Sequence, residues 1–302
     1  MNGRFLTLLK REWLEARLAF FYFPLGALAS LIVLVLLALL VSGFGDLNMV
    51  IESEGTGANL VLPGQWSNED WAQRMTFFRS ISTAPFFLIY VVGALFVLLG
   101  SLYDERKDRS VLFWKSLPVT DLETVLSKLV VATVVAPLVM IACVVLAQLF
   151  LLAVISVFLS THDVGGVGSL WLNAGLVGGT FQYLLGFLIQ ALWVLPISGY
   201  LLLVSAAAPR LTLLWAIAVP VVPVLLEYVL FRTGYLSSGI SRHMEPAALP
   251  NFLGDDERIM PVVTTVGEQL SLLISLDLWV GVLIGAAFVW GAAQLRGMKN
   301  EL

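Results

Sequence analysis

Residue types that could carry out chemistry are scarce in this chain of 302 residues. Its two histidines, His162 and His243, lie far apart in the sequence, and its one cysteine, Cys143, lies in an apolar run. A zinc site needs several closely placed ligands, and a disulfide needs two cysteines. We therefore expect no metal site, no bound cofactor and no intrachain disulfide.

Motifs for phosphate or peptide chemistry are also missing. The sequence has neither a Gly-x-x-x-x-Gly-Lys-Ser/Thr loop, which cradles nucleotide phosphates, nor a His-Glu-x-x-His pair. Ser160, His162 and Asp163 are the residue types of a serine triad, but near neighbours on a turn rarely face one another. We expect no catalytic residue, and a membrane-embedded enzyme or scaffold is the least favoured of three functional classes.

The composition indicates where such a chain resides. Hydrophobic residues make up 59% of the sequence and charged residues only 13%. In a water-soluble domain about a quarter of all residues are charged. The sequence therefore predicts an integral membrane protein in contact with lipid. The net charge of −4 argues against a nucleic-acid partner.

Apolar stretches give the number of crossings, because a spanning helix needs about 20 apolar residues. The predicted spans are about 18–44, 80–102, 129–159, 176–206, 211–231 and 272–295. The predicted fold is therefore an all-α polytopic protein with a single transmembrane domain over residues 1–302. Residues 46–79 and 232–270 form the longer external loops, with short helices expected at the outer mouth.

The distribution of Lys and Arg predicts the orientation, because positive charge is retained in cytoplasmic loops. Twelve of these residues lie in the N-terminal segment, the second and fourth loops and the tail, against five in the other loops. Both termini are therefore expected in the cytoplasm, with the protein in the cell (inner) membrane.

The N-terminal segment 1–17 has an amphipathic pattern. Its apolar residues fall on one helical face and most charges on the other, with Glu12 at the border. This pattern predicts an interfacial helix along the inner leaflet. The alternative is a plain continuation of the first spanning helix.

The cytoplasmic loop 103–128 is the most informative stretch. Six consecutive charged residues at 104–109 precede four apolar residues at 111–114 and the pair Leu117-Pro118. A charge run beside a membrane helix is usually only a solvated face, but such a face has no reason to present apolar surface. An amphipathic helix that docks into a groove of another protein would explain both halves.

A capping box follows that loop. Thr120 and Glu123 have the spacing at which a hydroxyl and a carboxylate satisfy the first backbone N–H groups of a helix. The third helix is therefore expected to begin near Asp121 and run to about Leu159. At 1.5 Å per residue its length would be about 58 Å, well beyond the bilayer.

Over these residues the chain resembles the permease of an ABC-2 type transporter. That family commonly shows a Glu-Arg pair, a Gly with Ser/Thr, spaced leucines, a Leu-x-x-Pro or similar ending, and a Lys at the third helix. The matching residues here are Glu105-Arg106, Ser110, Leu112, Leu117-Pro118 and Lys128. Arg109 replaces the usual glycine.

The resemblance implies that residues 104–118, the docking segment, form a coupling helix on a separate ABC ATPase subunit. The docking residues would be Asp104, Glu105, Arg106, Lys107, Arg109, Val111, Leu112, Phe113, Trp114, Leu117 and Pro118. The ATPase would bind ATP and magnesium, and this non-catalytic chain would pair with a second copy or a homologous permease. The family mostly exports; an apolar lining suits hydrophobic, amphipathic and peptide substrates alike.

Polar residues inside the spans support a second functional class. Glu227 and Asp277 are candidates for an ion-coupled secondary transporter, because intramembrane carboxylates are often functional. A structural alternative has them reach the outer interface or pair with Arg232, Arg242 or the Tyr228 hydroxyl. Gln148, Gln182 and Gln190 would line a path or bond between helices.

Two further patterns concern helix shape. Pro220 and Pro223 predict that the fifth helix is the broken one. Gly175 with Gly179, and Gly281 with Gly285, have the Gly-x-x-x-Gly spacing that allows two helices to approach closely.

Overall fold

The computed structural model describes residues 2–42, 67–110, 118–162, 165–245, 247–249 and 265–298. The regular elements in this part of the chain are all helices. Six of its helical segments are long and apolar enough to cross a membrane, which agrees with the predicted number. Residues 111–117 of the docking segment lie outside the described residues.

The helices follow one another along the chain, with the residues outside the described ranges between some of them. They are α1 Asn2–Arg17, α2 Phe23–Ser42, α3 Asn68–Lys107, α4 Asp121–Val130, α5 Ala136–Thr161, α6 Val167–Asn173, α7 Leu176–Trp193, α8 Leu195–Ala207, α9 Thr212–Phe231, α10 Tyr235–Met244, α11 Val266–Leu272 and α12 Leu276–Met298. Two π-helical turns, Leu18–Tyr22 and Val131–Val135, join α1 to α2 and α4 to α5.

Each π-helical turn ends two residues before a proline. Pro24 and Pro137 are each the second residue of the helix that follows. A proline has no N–H and its ring crowds the carbonyl four residues earlier, so a widened turn relieves the conflict. The helical backbone thus continues from α1 into α2, as the alternative interpretation had it, and the position of α1 along the inner leaflet stays a prediction.

The second span is longer than predicted. α3 begins at Asn68, where Ser67 and Asp70 form a capping box, so the loop expected to reach residue 79 ends earlier. The third span also exceeds the bilayer. Its capping box of Thr120 and Glu123 is confirmed. α4, the π-helical turn and α5 together run from Asp121 to Thr161, about 60 Å at 1.5 Å per residue.

The fourth span is broken, which the sequence analysis did not predict. The single helix expected over 176–206 is interrupted at Val194, whose φ and ψ are −87° and 1°. Pro196 lies in the first turn of α8, where its missing N–H is harmless. The interruption therefore lies just before this proline.

The fifth span is unbroken, so the prediction of a break there is wrong. α9 runs through Pro220 and Pro223. Because Pro220 has no N–H, the carbonyl of Ala216 loses its usual donor. The Tyr200 hydroxyl on α8 donates to that carbonyl at 3.1 Å, which stabilises the helix at this point.

Glycines bring α8 and α12 together. A Cβ at Gly285 would lie 2.6 Å from a backbone carbon of Leu195, and one at Gly199 would lie 2.7 Å from the Gly285 carbonyl oxygen. The close approach predicted for the second glycine pair is therefore confirmed. At Gly179 the neighbouring group is a side chain and not a helix backbone, because a Cβ there would lie 2.8 Å from the guanidinium of Arg79.

Candidate functional site

Charged side chains from four helices meet around Glu105, which lies near the end of α3. Glu105 is 6% exposed, and its carboxylate accepts from Arg11 at 2.9 Å. It also lies 2.9 Å from Lys128 Nζ and 3.2 Å from Arg296 Nη2. One carboxylate on α3 thus binds cations from α1, α4 and α12.

Lys128 links a second carboxylate to this group. Its side chain is 2% exposed, and Nζ donates to Glu12 Oε2 at 2.8 Å. Glu12, which the helical pattern placed at the border of the polar face, is itself buried. Burying a charge costs free energy unless a partner compensates it, and here the ammonium lies between two carboxylates.

Arg296 closes the arrangement at the end of α12. Its guanidinium is buried and forms an ion pair with Asp121 in the first turn of α4. A carboxylate in the first turn is also favoured by the helix dipole. We call Arg11, Glu12, Glu105, Asp121, Lys128 and Arg296 the ion-pair network.

Helical spacing explains how the network is built. On α1, Leu8, Glu12 and Ala16 recur every four residues, share one face and are all buried. On α4, Val125 and Lys128 are three residues apart and buried together. Each charge therefore enters the interior on a face that apolar neighbours anchor.

Arg106 forms a separate connection between α3 and α8. It is 3% exposed, and Nη2 donates to the carbonyls of Ser205 at 2.8 Å and Ala208 at 2.9 Å. These carbonyls belong to the end of α8, where the last carbonyl groups of a helix have no intrahelical N–H donor. In return, Ser205 Oγ accepts from the backbone N–H groups of Leu102 and Tyr103, both at 3.0 Å.

The predicted docking residues fall into three groups. Glu105 and Arg106 are buried and face other helices, so they hold the segment in place and present no surface to a partner. The exposed members are Asp104, Lys107, Arg109 and Pro118. Val111, Leu112, Phe113, Trp114 and Leu117 lie outside the described residues.

Arg109 has the backbone conformation that a glycine would favour. Its φ is +56°, in the left-handed region. An L side chain there costs roughly 1–2 kcal/mol. A glycine at this position would adopt the same φ without that cost.

The intramembrane glutamines have structural partners. Gln148 is 2% exposed, and its amide donates to Ser82 Oγ at 3.2 Å, so it bonds between α5 and α3. The Gln190 side chain accepts from Ala248 N at 3.1 Å and donates to the Glu245 carbonyl at 3.4 Å. Bonding between elements was one of the two roles predicted for these amides.

Glu227 and Asp277 both attach to α10. Glu227 accepts from Thr233 Oγ1 and Tyr235 N at 2.8 Å and from Leu236 N at 2.9 Å, so it caps the start of this helix. These partners differ from the three that the sequence suggested. Asp277 lies 3.1 Å from Arg242 Nη1, a partner that the structural alternative named.

One acidic group has the spacing of a metal site. Carboxylate oxygens of Glu12, Glu15 and Glu105 lie within 4.8 Å of one another. Lys128 and Arg11 already contact these carboxylates at 2.8 to 2.9 Å and supply the compensating charge. A metal ion would have to displace them, so this geometry gives no support for one.

Comparison with protein-family models, curated proteins and solved structures finds no match to this chain. The sequence pattern singled out Glu105, Arg106 and Lys128, and the structure brings the first and third together. It missed Arg11, Glu12, Asp121 and Arg296 as partners. Asp121 and Arg296 lie near helix ends, and Arg11 and Glu12 lie inside α1, where Glu12 shares a face with Leu8 and Ala16.

Proposed function

We propose that this chain is the permease subunit of an ABC-2 type transporter, coupled to a separate ATPase. The observation that best supports the proposal is the buried carboxylate of Glu105, bound to α1, α4 and α12. This residue stands at the start of the docking segment. A force applied to the segment would therefore reach several spanning helices at once.

The contacts define two routes for that force. Through Glu105 and Lys128 it would reach the rod of about 60 Å formed by α4, the π-helical turn and α5. Through Arg106 it would reach the end of α8. Charge-assisted hydrogen bonds are shorter and stronger than neutral ones, so they suit the transmission of displacement.

In this proposal the chain does no bond chemistry. ATP and magnesium bind to the partner ATPase, and a second copy or a homologous permease completes the path. The cargo is a hydrophobic, amphipathic or peptide substrate moved outward. Both termini lie on the cytoplasmic side of the cell membrane in this proposal.

Co-purification tests the proposal most directly. The chain is isolated from its native membrane in mild detergent, and ATP hydrolysis in the eluate is measured. Replacing Phe113 and Trp114 with Asp should remove the co-purifying ATPase activity without changing the yield of inserted chain, because an apolar docking face would be lost. Met244→Asp, an exposed apolar position at the end of α10 and outside the candidate spans, is the control and should retain the activity.

Two outcomes would count against the proposal. The first is undiminished ATPase recovery with the Phe113 and Trp114 variant. The second is substrate movement that continues after ATP depletion but stops when the proton gradient is removed. That second result would favour the ion-coupled carrier.

A further inference from the structure

The π-helical turn Val131–Val135 leaves one carbonyl without a backbone donor. The N–H of Ala136 donates to the Val131 carbonyl, five residues back. The Ala132 carbonyl would then need the N–H of residue 137, which is a proline and has none. Because an unpaired polar group in an apolar interior is costly, this carbonyl needs a donor from another helix.

Tyr90 on α3 supplies that donor. Its hydroxyl donates to the Ala132 carbonyl at 3.2 Å. This distance exceeds the roughly 2.5–3.0 Å that is usual for an O–H donor, so the bond is weak enough to be released. The centroid of the Tyr90 ring also lies 6.5 Å from that of Phe20, which belongs to the other π-helical turn. One side chain of α3 therefore contacts both turns.

The π-helical turn Leu18–Tyr22 has the same backbone pattern. The N–H of Phe23 also donates five residues back, and Pro24 has no N–H for the Ala19 carbonyl. Ala19 lies against Gly93 of α3, because a Cβ added to that glycine would be 3.6 Å from Ala19 Cβ. Both turns therefore pack on the same stretch of α3.

On one side of the two turns, ion pairs bind the helices together. Glu12 on α1 lies 2.8 Å from Lys128 on α4, and Lys128 lies 2.9 Å from Glu105 on α3. α3 itself runs past both turns without a break. We call α1, α3 and α4 the block, since charge-assisted bonds connect all three.

On the other side of the turns, α2 and α5 pack on each other. Leu28 of α2 and Met140 of α5 belong to one buried cluster. The Gln148 amide holds α5 on α3 by donating to Ser82 Oγ at 3.2 Å, at the long end for a hydrogen bond. This pair of helices is therefore attached to the block by neutral bonds, which are weaker than the ion pairs within the block.

We propose that the two π-helical turns are paired hinges, at which α2 and α5 pivot together on the block. The Tyr90 hydroxyl holds both hinges in the position seen here. π-Helical turns are common sites of helix bending and of function, because they interrupt the regular ladder of hydrogen bonds. This inference concerns movement within the chain and does not depend on the proposed ATPase partner.

Distances across the two hinges test the inference. In a Cys143→Ala background, spin labels are attached to cysteines at residues 14 and 40, or at residues 122 and 146, all of which are exposed leucines. The full chain is reconstituted in nanodiscs with an excess of unlabelled chain, and pulsed electron resonance measures each distance distribution. Tyr90→Phe should raise the fraction of molecules outside the main peak about fivefold for both pairs, the effect of one hydrogen bond.

Tyr200→Phe is the matched control, because it also removes a hydroxyl that donates to a carbonyl left free by a proline, at Ala216 of α9. It should leave both distributions unchanged. Pro137→Ala restores an N–H that can reach the Ala132 carbonyl, so it should diminish the effect of Tyr90→Phe. The inference is overturned if Tyr90→Phe matches the wild type, if only the pair at 122 and 146 responds, if Tyr200→Phe has an equal effect, or if Pro137→Ala leaves the effect of Tyr90→Phe undiminished.

Discussion

Removing the charge of Lys128 tests whether the ion-pair network stabilises the fold as its geometry implies. Lys128→Met keeps the length of the side chain but leaves the carboxylates of Glu12 and Glu105 without the ammonium that lies 2.8 and 2.9 Å from them. Removal of one partner of a buried ion pair typically costs about 3–5 kcal/mol. We expect a loss of that size in the free energy of unfolding.

The structure also predicts how the loss divides between the two carboxylates. Glu105 would keep Arg11 at 2.9 Å and Arg296 at 3.2 Å. Within the described ranges, Glu12 would keep only Arg11, at 3.5 Å. Most of the cost should therefore come from Glu12, and adding Glu12→Gln to Lys128→Met should recover about 2 kcal/mol. Adding Glu105→Gln should recover little or further destabilise the protein, because Arg11 and Arg296 would each lose one of their carboxylate partners.

The assay is reversible unfolding of the full chain in detergent micelles, followed by tryptophan fluorescence over a denaturant series. The Glu12→Gln and Glu105→Gln single variants complete the two double-mutant cycles. Equal recovery by the two second substitutions would refute the reasoning, and so would a Lys128→Met variant within 0.5 kcal/mol of the wild type, which is the range of ordinary surface substitutions.

Three further predictions concern single residues. Arg109→Gly should raise the free energy of unfolding by about 1 kcal/mol, since glycine adopts a φ of +56° without strain, whereas Arg109→Ala should not; chemical denaturation compares the two. Ser205→Ala should lower it by about 0.5–1.5 kcal/mol, because two N–H groups inside α3 lose the acceptor that they share on α8, and Ser205→Thr should lower it less. Glu227→Gln should speed hydrogen exchange at Tyr235 and Leu236 but not in α12, and equal protection factors in variant and wild type would contradict the capping role.

The fold could be predicted from the sequence where a local signal determines it. Apolar runs of about 20 residues marked the spans, and Thr120 with Glu123 marked the start of α4. The break in the fourth span was missed because the fifth span, which holds two prolines, was predicted to be the broken one. Pro220 is tolerated since Tyr200 supplies a donor from another helix, which no local pattern reveals.

The candidate site was predictable only in part for a related reason. A motif spacing can mark Glu105 and Lys128, but it cannot show which charges on distant segments will meet them. Arg296 and Arg11 reach Glu105 from opposite ends of the chain. Inward charges also resemble solvated ones in sequence, so Arg106 was predicted to face a partner although it bonds to α8.

The break at Val194 separates α7 from α8, so a movement of α3 can displace α8 without displacing α7 equally. α8 is bound to α3 through Arg106 and Ser205, and it packs closely on α12 at Gly285. Among the residues that the structure describes, α7 forms no such bonds to the end of α3, and Val194 separates α7 from α8. A helix transmits displacement rigidly only while its helical geometry is uninterrupted, and that geometry is interrupted at Val194. A movement of the docking segment would therefore displace α8 together with α3 and α12, and the displacement would not pass rigidly into α7. In the proposed function, relative motion within the fourth span is therefore expected at this residue, between the end of α7 and the start of α8.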